Sequence, residues 1–356
     1  MKMRWILFLL FSVASQLFSS EAALGIEGKT LLVPSIDPRE ELERVLVQQR
    51  KSGVWSEDYS KTLKLAQTNQ KPTLLAFVGI GWCPWSERLA KEILNDPNFL
   101  NPLKDQVNFV WFSCPQESSK GSKEFQMLKG KYDVQVYPTL VLITPSEQEM
   151  FSVGYLPYTS DEFAEKIQEM VRDYNEISSR VEAGDLKLIN SDELERLFIK
   201  ARDLKCVQHA EKLMQVGLES DKGTFFLLEK YAELLEKGNK KEASTIREKI
   251  VSRDPKNLKG SQLRLAVLDF EMRAQKLKRK DSPLSAVKPL LEYIYRFGEK
   301  DKENLWKIQM MMAQFLFTKN EVKEALGLAN ASYQSAPEEF KSEVAQTIDY
   351  LQSYAH

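Results

Sequence analysis

Apolar and polar positions divide the chain into three stretches with different periods. The first eighteen residues begin Met1-Lys2-Met3-Arg4 and continue through an apolar run from Trp5 to Phe11, loosening to Val13, Ala14, Leu17 and Phe18. A helix opening at Pro38 is expected next, with Leu42, Val45 and Leu46 at helical spacing. From Trp55 to about residue 177, helical periods alternate with short apolar runs. The runs Thr73–Val78, Val107–Phe112 and Thr139–Thr144 read as strands buried on both faces. A fourth, Met150 to Tyr155, follows the turn Pro145-Ser146-Glu147. Helices are predicted at Tyr59–Gln67, at Pro84–Ile93, within Gly121–Tyr132, and after the capping-box pair Thr159 and Glu162. That last helix carries Phe163, Ile167, Met170, Val171 and Tyr174 on one face. Strands alternating with helices imply parallel crossovers, and the short turn before the last strand implies an antiparallel hairpin. The expectation is a mixed four-stranded sheet with helices on both faces.

From Asp185 onward the period is helical throughout. Leu194, Leu197, Phe198 and Ala201 mark one helix; Leu228, Tyr231, Ala232 and Leu235 mark another, stopped by Gly238. Leu305 to Phe317 is apolar nearly all round and should be buried between other helices. Ala243 is followed twelve residues later by Pro255, and Ala325 twelve residues later by Pro337; Ala210 and Ala286 are weaker equivalents. This spacing resembles tetratricopeptide repeats, in which the second helix carries a small residue and the repeat ends at proline. A generic helical bundle is the alternative.

With 43% hydrophobic and 28% charged residues the composition is that of a globular protein. A net charge of -1 argues against a broad nucleic-acid footprint, which needs surplus cations. Residues 1–22 read as a secretion signal, with Ser19-Ser20-Glu21-Ala22-Ala23 as the cleavage region and an uncleaved anchor as the alternative. The expected destination is export, to a bacterial periplasm, without stable membrane insertion once the signal is removed. The expected organisation is therefore signal 1–22, leader and helix 23–53, an α/β domain 54–177 and an all-α, repeat-like domain 185–356. The basic run Lys276-Leu277-Lys278-Arg279-Lys280 reads as a solvated helix end.

Three cysteines, Cys83, Cys114 and Cys206, are too few for a disulfide-stapled scaffold. The two histidines, His209 and His356, stand far from any cysteine pair, which argues against structural zinc and against a cysteine–histidine dyad. No metal and no cofactor is expected. The chemistry concentrates in Lys71-Pro72, the first strand, Gly79-Ile80-Gly81 and then Trp82-Cys83-Pro84-Trp85-Ser86. A buried strand runs into a glycine-containing loop and a cysteine opens a helix. Unpaired N–H groups and the helix dipole favour a thiolate there. Trp82 and Trp85 can shield the sulfur and offer a flat surface to a peptide.

This stretch resembles the active site of the thioredoxin superfamily. The likeness continues through Lys91-Glu92-Ile93-Leu94-Asn95-Asp96-Pro97 and through Tyr132 to Leu140, where Tyr137-Pro138-Thr139 fits the cis-proline loop. The resemblance implies a thioredoxin-like fold, with the backbone beside Pro138 pairing to a substrate peptide opposite Cys83. Three departures matter. Ser86 replaces the second cysteine of C-x-x-C, Phe77 stands where a buried acid is expected, and Pro84-Trp85 replaces Gly-Pro. The anterior gradient proteins are similar in having C-x-x-S. Ser86 cannot resolve a mixed disulfide, so Cys83 needs another thiol from the substrate, a small molecule or a redox partner protein. Cys114, at the end of the second strand, is either a half-buried free thiol or an unconventional resolving cysteine. Two functions follow: monothiol exchange of an isomerase-like kind on protein or peptide thiols and disulfides, with the helical half recruiting partners, or a non-catalytic binding or assembly module using Trp82, Trp85, Tyr137 and Thr139.

Overall fold

The computed structural model describes residues 53–116, 121–155, 157–220 and 223–354. The expected signal segment, leader and helix after Pro38 lie outside these residues, as does His356. The chain divides into two compact units, which separate between Lys222 and Gly223.

The first unit begins with α1 (Tyr59–Asn69), capped by the Asp58 carboxylate on Lys61 N–H. β1 (Thr73–Val78) follows, then α2 (Pro84–Leu89), continued by a single π turn over Ala90–Leu94. Next come α3 (Pro97–Leu103), β2 (Asn108–Ser113), α4 (Lys123–Lys131), β3 (Thr139–Ile143) and β4 (Glu149–Val153). α3 is a helix that the apolar pattern does not predict. Asp96 caps it and Pro97 opens it, so the same dipeptide that ends one helix starts the next.

The sheet order is β2-β1-β3-β4. β1 and β2 pair in parallel, placing Phe77 beside Phe112 and Val78 beside Ser113. β3 runs antiparallel to β1, against the parallel crossover expected of a strand–helix–strand unit, and pairs with β4 in an antiparallel hairpin. β3 starts at the edge of the sheet where β1 ends, with Thr139 opposite Phe77. Alternate residues of each strand serve opposite faces. Leu75, Phe77, Val110, Phe112, Val141 and Ile143 share one core with Tyr59 of α1 and with Phe125 and Leu128 of α4. On the strand positions between them, Phe109 meets Phe99 of α3, which stacks on Phe163 of α5 (Ser160–Ala183).

α5 has the expected capping box at Thr159 and Glu162 and ends at Gly184, φ 75°. α6 (Ser191–Asp203) and α7 (Val207–Glu219) pack on α5 and belong to this same unit. Leu194, Leu197, Phe198 and Ala201 are the buried face of α6. Arg196 and Lys200 bind Glu176 of α5, and Lys205 pairs with Glu149 of β4. The helical region beginning at Asp185 is therefore divided, because the apolar face of α6 is covered by α5.

The second unit is helical: α8 (Phe225–Glu236), α9 (Lys240–Arg253), α10 (Ser261–Lys276), α11 (Leu284–Phe297), α12 (Lys302–Thr318), α13 (Val322–Ser335) and α14 (Glu338–Gln352). Consecutive helices pack as pairs, α8 with α9, α10 with α11 and α12 with α13. α12 is buried along most of its length, as its apolar run requires: Trp306, Ile308, Met310, Met311, Met312, Ala313 and Leu316 lie inside. Among the described residues no helix is long and apolar enough to cross a membrane.

Candidate functional site

β1 delivers the chain to one edge of the sheet, and four loop residues later Cys83 caps α2 from extended backbone. Its carbonyl accepts the N–H groups of Ser86 and Glu87 at 3.0 and 3.1 Å, and its own N–H donates to Gly79 at 2.9 Å. Pro84 occupies the first helical position, where its missing N–H costs nothing. The Cys83 thiol faces the Tyr137 carbonyl at 3.4 Å, across the loop whose Tyr137–Pro138 bond is cis. Cys83 keeps 9% of its surface open, against 3% for Cys114 and none for Cys206, so it is the thiol nearest to solvent. All three are free.

The first turn of α2 pins the preceding loop from behind. Ser86 is fully buried, and its hydroxyl accepts the Gly79 N–H at 3.0 Å. The Glu87 carboxylate accepts the Gly81 N–H at 2.9 Å, where Gly81 has φ 87°. Sequence reasoning missed Glu87. Its signal is a carboxylate in a first helical turn, within reach of the loop's unpaired N–H groups.

Trp82 is a wall of the site. Its ring covers Gly79 so closely that a methyl group there would come within 3.0 Å of three indole carbons. Its Nε1–H donates to the Cys114 carbonyl at 2.8 Å, and its edge meets the Tyr137 ring at 5.6 Å. Trp85 is instead 55% exposed and leans on Tyr155, with ring centroids 5.0 Å apart. Arg88 lies over the same Tyr155 ring and pairs with Glu92 at 2.9 Å. Thr139 is buried and its hydroxyl closes the proline loop on the Val136 carbonyl at 2.7 Å. Val136 itself is exposed.

Cys114 sits at the same sheet edge, its N–H on the Val78 carbonyl at 2.8 Å and its thiol donating to Phe112 at 3.4 Å. Burial pushes this thiol up to about 12, opposed only in part by the Val78 backbone, the Lys129 charge and the Tyr137 hydroxyl. Tyr137 therefore borders both cysteines: its carbonyl faces the Cys83 thiol and its side chain bears on the ionisation of Cys114. Cys206 caps α7 in the core and is likewise pushed up to about 12 by burial. The place of the absent acid is sealed: Phe77 stacks on Phe112 at 4.8 Å, with 13° between the rings. Among the described residues no cluster of three or more His, Cys, Asp or Glu side chains is arranged to hold a metal.

A strand-to-helix cysteine facing a cis-proline loop on a mixed four-stranded sheet defines a thioredoxin-like domain, and residues 59–170 match the family model described as a thioredoxin-like domain. A helix-rich region follows it. The chain is 26% identical over 307 residues to the thioredoxin-related protein DsbJ of Chlamydia pneumoniae, covering 84% of this chain and 87% of that one. It is 24% identical over 119 residues to the disulfide bond reductase DsbH of Chlamydia pneumoniae, covering 33% of this chain and 72% of that one. A solved structure titled DsbH oxidoreductase aligns with a TM-score of 0.31 at 24% identity, over 33% of this chain and 83% of that one. The likeness to DsbJ runs beyond the thioredoxin-like domain, whereas the likeness to DsbH spans about the length of one domain.

Proposed function

We propose that this chain is an exported thiol–disulfide exchange protein that works through Cys83 alone. The supporting observation is the pairing of the Cys83 thiol, which at the start of α2 keeps more open surface than either other cysteine, with a fully buried Ser86 at the resolving position. In the forward step the Cys83 thiolate attacks one sulfur of a substrate disulfide. The bond between the substrate sulfurs breaks, a Cys83–substrate disulfide forms, and the other substrate sulfur leaves as a thiolate. A second thiolate must then attack the mixed disulfide and expel Cys83. If it comes from the same substrate, the substrate is isomerised and no net electrons move. If a small thiol or a thiol of a redox partner protein attacks the Cys83 sulfur instead, the substrate leaves as its thiol and a second reductant thiol then expels Cys83; the two reductant thiols end as a disulfide and supply the two electrons of net reduction. The backbone beside Pro138 and the exposed faces of Trp85 and Val136 offer the substrate chain a place to lie. The names of the relatives, a disulfide bond reductase and a thioredoxin-related protein, agree with this class of chemistry.

Trapping tests it. Cys83 is expected to alkylate faster than a model thiol and to yield reducible adducts with envelope proteins that Cys83→Ala abolishes. If alkylation is no faster and the disulfide state of those proteins is unchanged by Cys83→Ala, the exchange function fails. Ser86→Cys restores a C-x-x-C pair and is expected to raise insulin reduction by dithiothreitol above the wild type. Thiol titration under mild oxidant asks whether Cys114 resolves the adduct; three free thiols exclude that role, which its burial already disfavours.

The second reading is a binding or assembly module. It is favoured by the Phe77–Phe112 stack, which fills with two rings the strand position from which a buried acid would move a proton for the cysteine. Pull-downs separate the two: identical partners for wild type and Cys83→Ser, without reducible linkage, support binding alone. In either reading the helical half recruits the partner. Its tetratricopeptide-like character is supported by the place of Ala243, Ala286 and Ala325, all buried within the first turns of the second helix of each pair.

A further inference from the structure

The basic run Lys276-Leu277-Lys278-Arg279-Lys280 ends α10 beside an open cleft of about 390 Å³. Leu234, Leu235 and Met272 make the cleft apolar, and Lys240, Arg273 and Lys276 ring it. Lys276 and Arg273 spend their hydrogen bonds on the carbonyls of Leu235 and Ser285, which leaves their charge unneutralised. Lys278, Arg279 and Lys280 continue the ring as exposed side chains. Among the described residues none of these six cations is ion-paired to a carboxylate.

Asp269 also lines the cleft, and it, Glu233 and Glu242 are occupied. Asp269 takes Arg247 and Tyr231, Glu233 takes Lys230 and Lys237, and Glu242 takes Asn239. Asp281 accepts the Lys278 N–H and closes the turn that holds the run. Six cations gather here, in a chain whose overall charge is -1. Charge is therefore concentrated at this end of the second unit.

We infer that this face docks peripherally on an anionic phospholipid surface, with phosphate headgroups on the six cations and glycerol carbon against the half-buried Leu235 of the cleft. The cations are spread over an exposed connector and two helix ends, on flexible stems. A plane of diffuse negative charge satisfies all of them at once, whereas one acidic side chain of a peptide satisfies one or two. The apolar cleft floor adds the carbon contact that an interfacial site needs. The site uses no residue of the Cys83 region, so its test is independent of the exchange reaction.

The test is flotation of the purified full chain with vesicles of phosphatidylglycerol and phosphatidylcholine, against phosphatidylcholine alone. Binding is expected to the anionic vesicles only, and to fall steeply between ~0.1 and ~0.5 M salt. Each cation near such a surface contributes about fivefold, so Lys278→Gln/Arg279→Gln/Lys280→Gln lowers binding about a hundredfold. Both chains carry the same N-terminus, so the difference between them reads this face. The far-ultraviolet circular dichroism melt of the variant checks its fold, and the salt titration of the wild type stands without the variant. Equal binding to neutral vesicles, indifference to salt, or a folded triple variant that binds as before overturns the proposal. So does preference for soluble polyglutamate over anionic vesicles, which would point to an acidic protein instead.

Discussion

At the scale of single residues the site is organised around contacts that the sequence only half reveals. Cys83 stands out because it follows a buried strand and opens a helix, and Pro138 because Tyr137-Pro138-Thr139 resembles the cis-proline loop of the thioredoxin superfamily. Phe77 is found by counting back from the cysteine. Glu87 and the seat of Trp82 on Gly79 are not legible, since a glutamate in a first turn and a glycine in a loop are common and their partners are set by tertiary folding. Two predictions belong here. Cys114 and Cys206, both pushed up to about 12, stay protonated at neutral pH. Iodoacetamide at pH ~7.5 is expected to modify Cys83 in the folded protein and all three thiols only after denaturation, as read by mass spectrometry. Gly79→Ala places a methyl against the Trp82 ring and is expected to cost about 1–3 kcal/mol of stability in a urea titration. Because the displaced ring is a wall of the site, Cys83 should alkylate faster in that variant.

At the scale of elements, one corner is used three times. The connectors after α6, α8 and α12 are three residues long, with left-handed backbone at Lys205, Gly238 and Asn320, φ 54°, 73° and 65°. In each, the next N–H reaches back five residues, from Cys206 to Ala201, Asn239 to Leu234 and Glu321 to Leu316. In each, an alanine follows the left-handed residue by five places: Ala210, Ala243 and Ala325. This is the helix-ending arrangement usually given to glycine. Gly238 is therefore readable as a stop, while Lys205 and Asn320 are hidden, because the hydrogen bond and not the side chain makes the turn. Gly238→Ala meets no steric obstacle, yet it should lose about 1 kcal/mol to backbone strain, measured as a lower denaturation midpoint. The contact between α5 and α6 makes a pH prediction. Hydrogen bonds from Arg196 and Lys200 hold the Glu176 carboxyl down to about 2. Because the folded value lies below the unfolded one, the stabilisation is full above pH ~4.3 and disappears as the pH falls through the folded value. The melting temperature of wild type should exceed that of Glu176→Gln at pH ~6, and the gap should close with acid; these half-buried side chains are still partly screened by solvent, so the gap is small.

At the scale of the molecule, the sheet could be read from its apolar runs, since three runs of five or six buried residues and a short turn before a fourth strand have few alternatives. The division into units could not. Helices α6 and α7 look in sequence like the start of the helical half, and what assigns them to the first unit is the face of α5, visible only once both are folded. A piece beginning at Gly223 retains the core shared by α10 to α14 and is expected to be helical and to melt cooperatively. One beginning at Asp185 exposes Leu194, Leu197 and Ala201 without α5, and should elute as aggregate in size-exclusion chromatography. The aromatic residues are divided as unevenly as the fold. Trp55, Trp82, Trp85 and Trp111 lie in the first unit and Trp306 alone in the second, among the described residues. Trp82 is wedged between a glycine backbone, the Cys114 carbonyl and Tyr137, one residue before Cys83. The protein thus carries its own optical probe: a sulfur captured at Cys83 should quench or shift the emission of an indole already in place, so that capture and release can be timed in a stopped-flow fluorimeter without any attached dye.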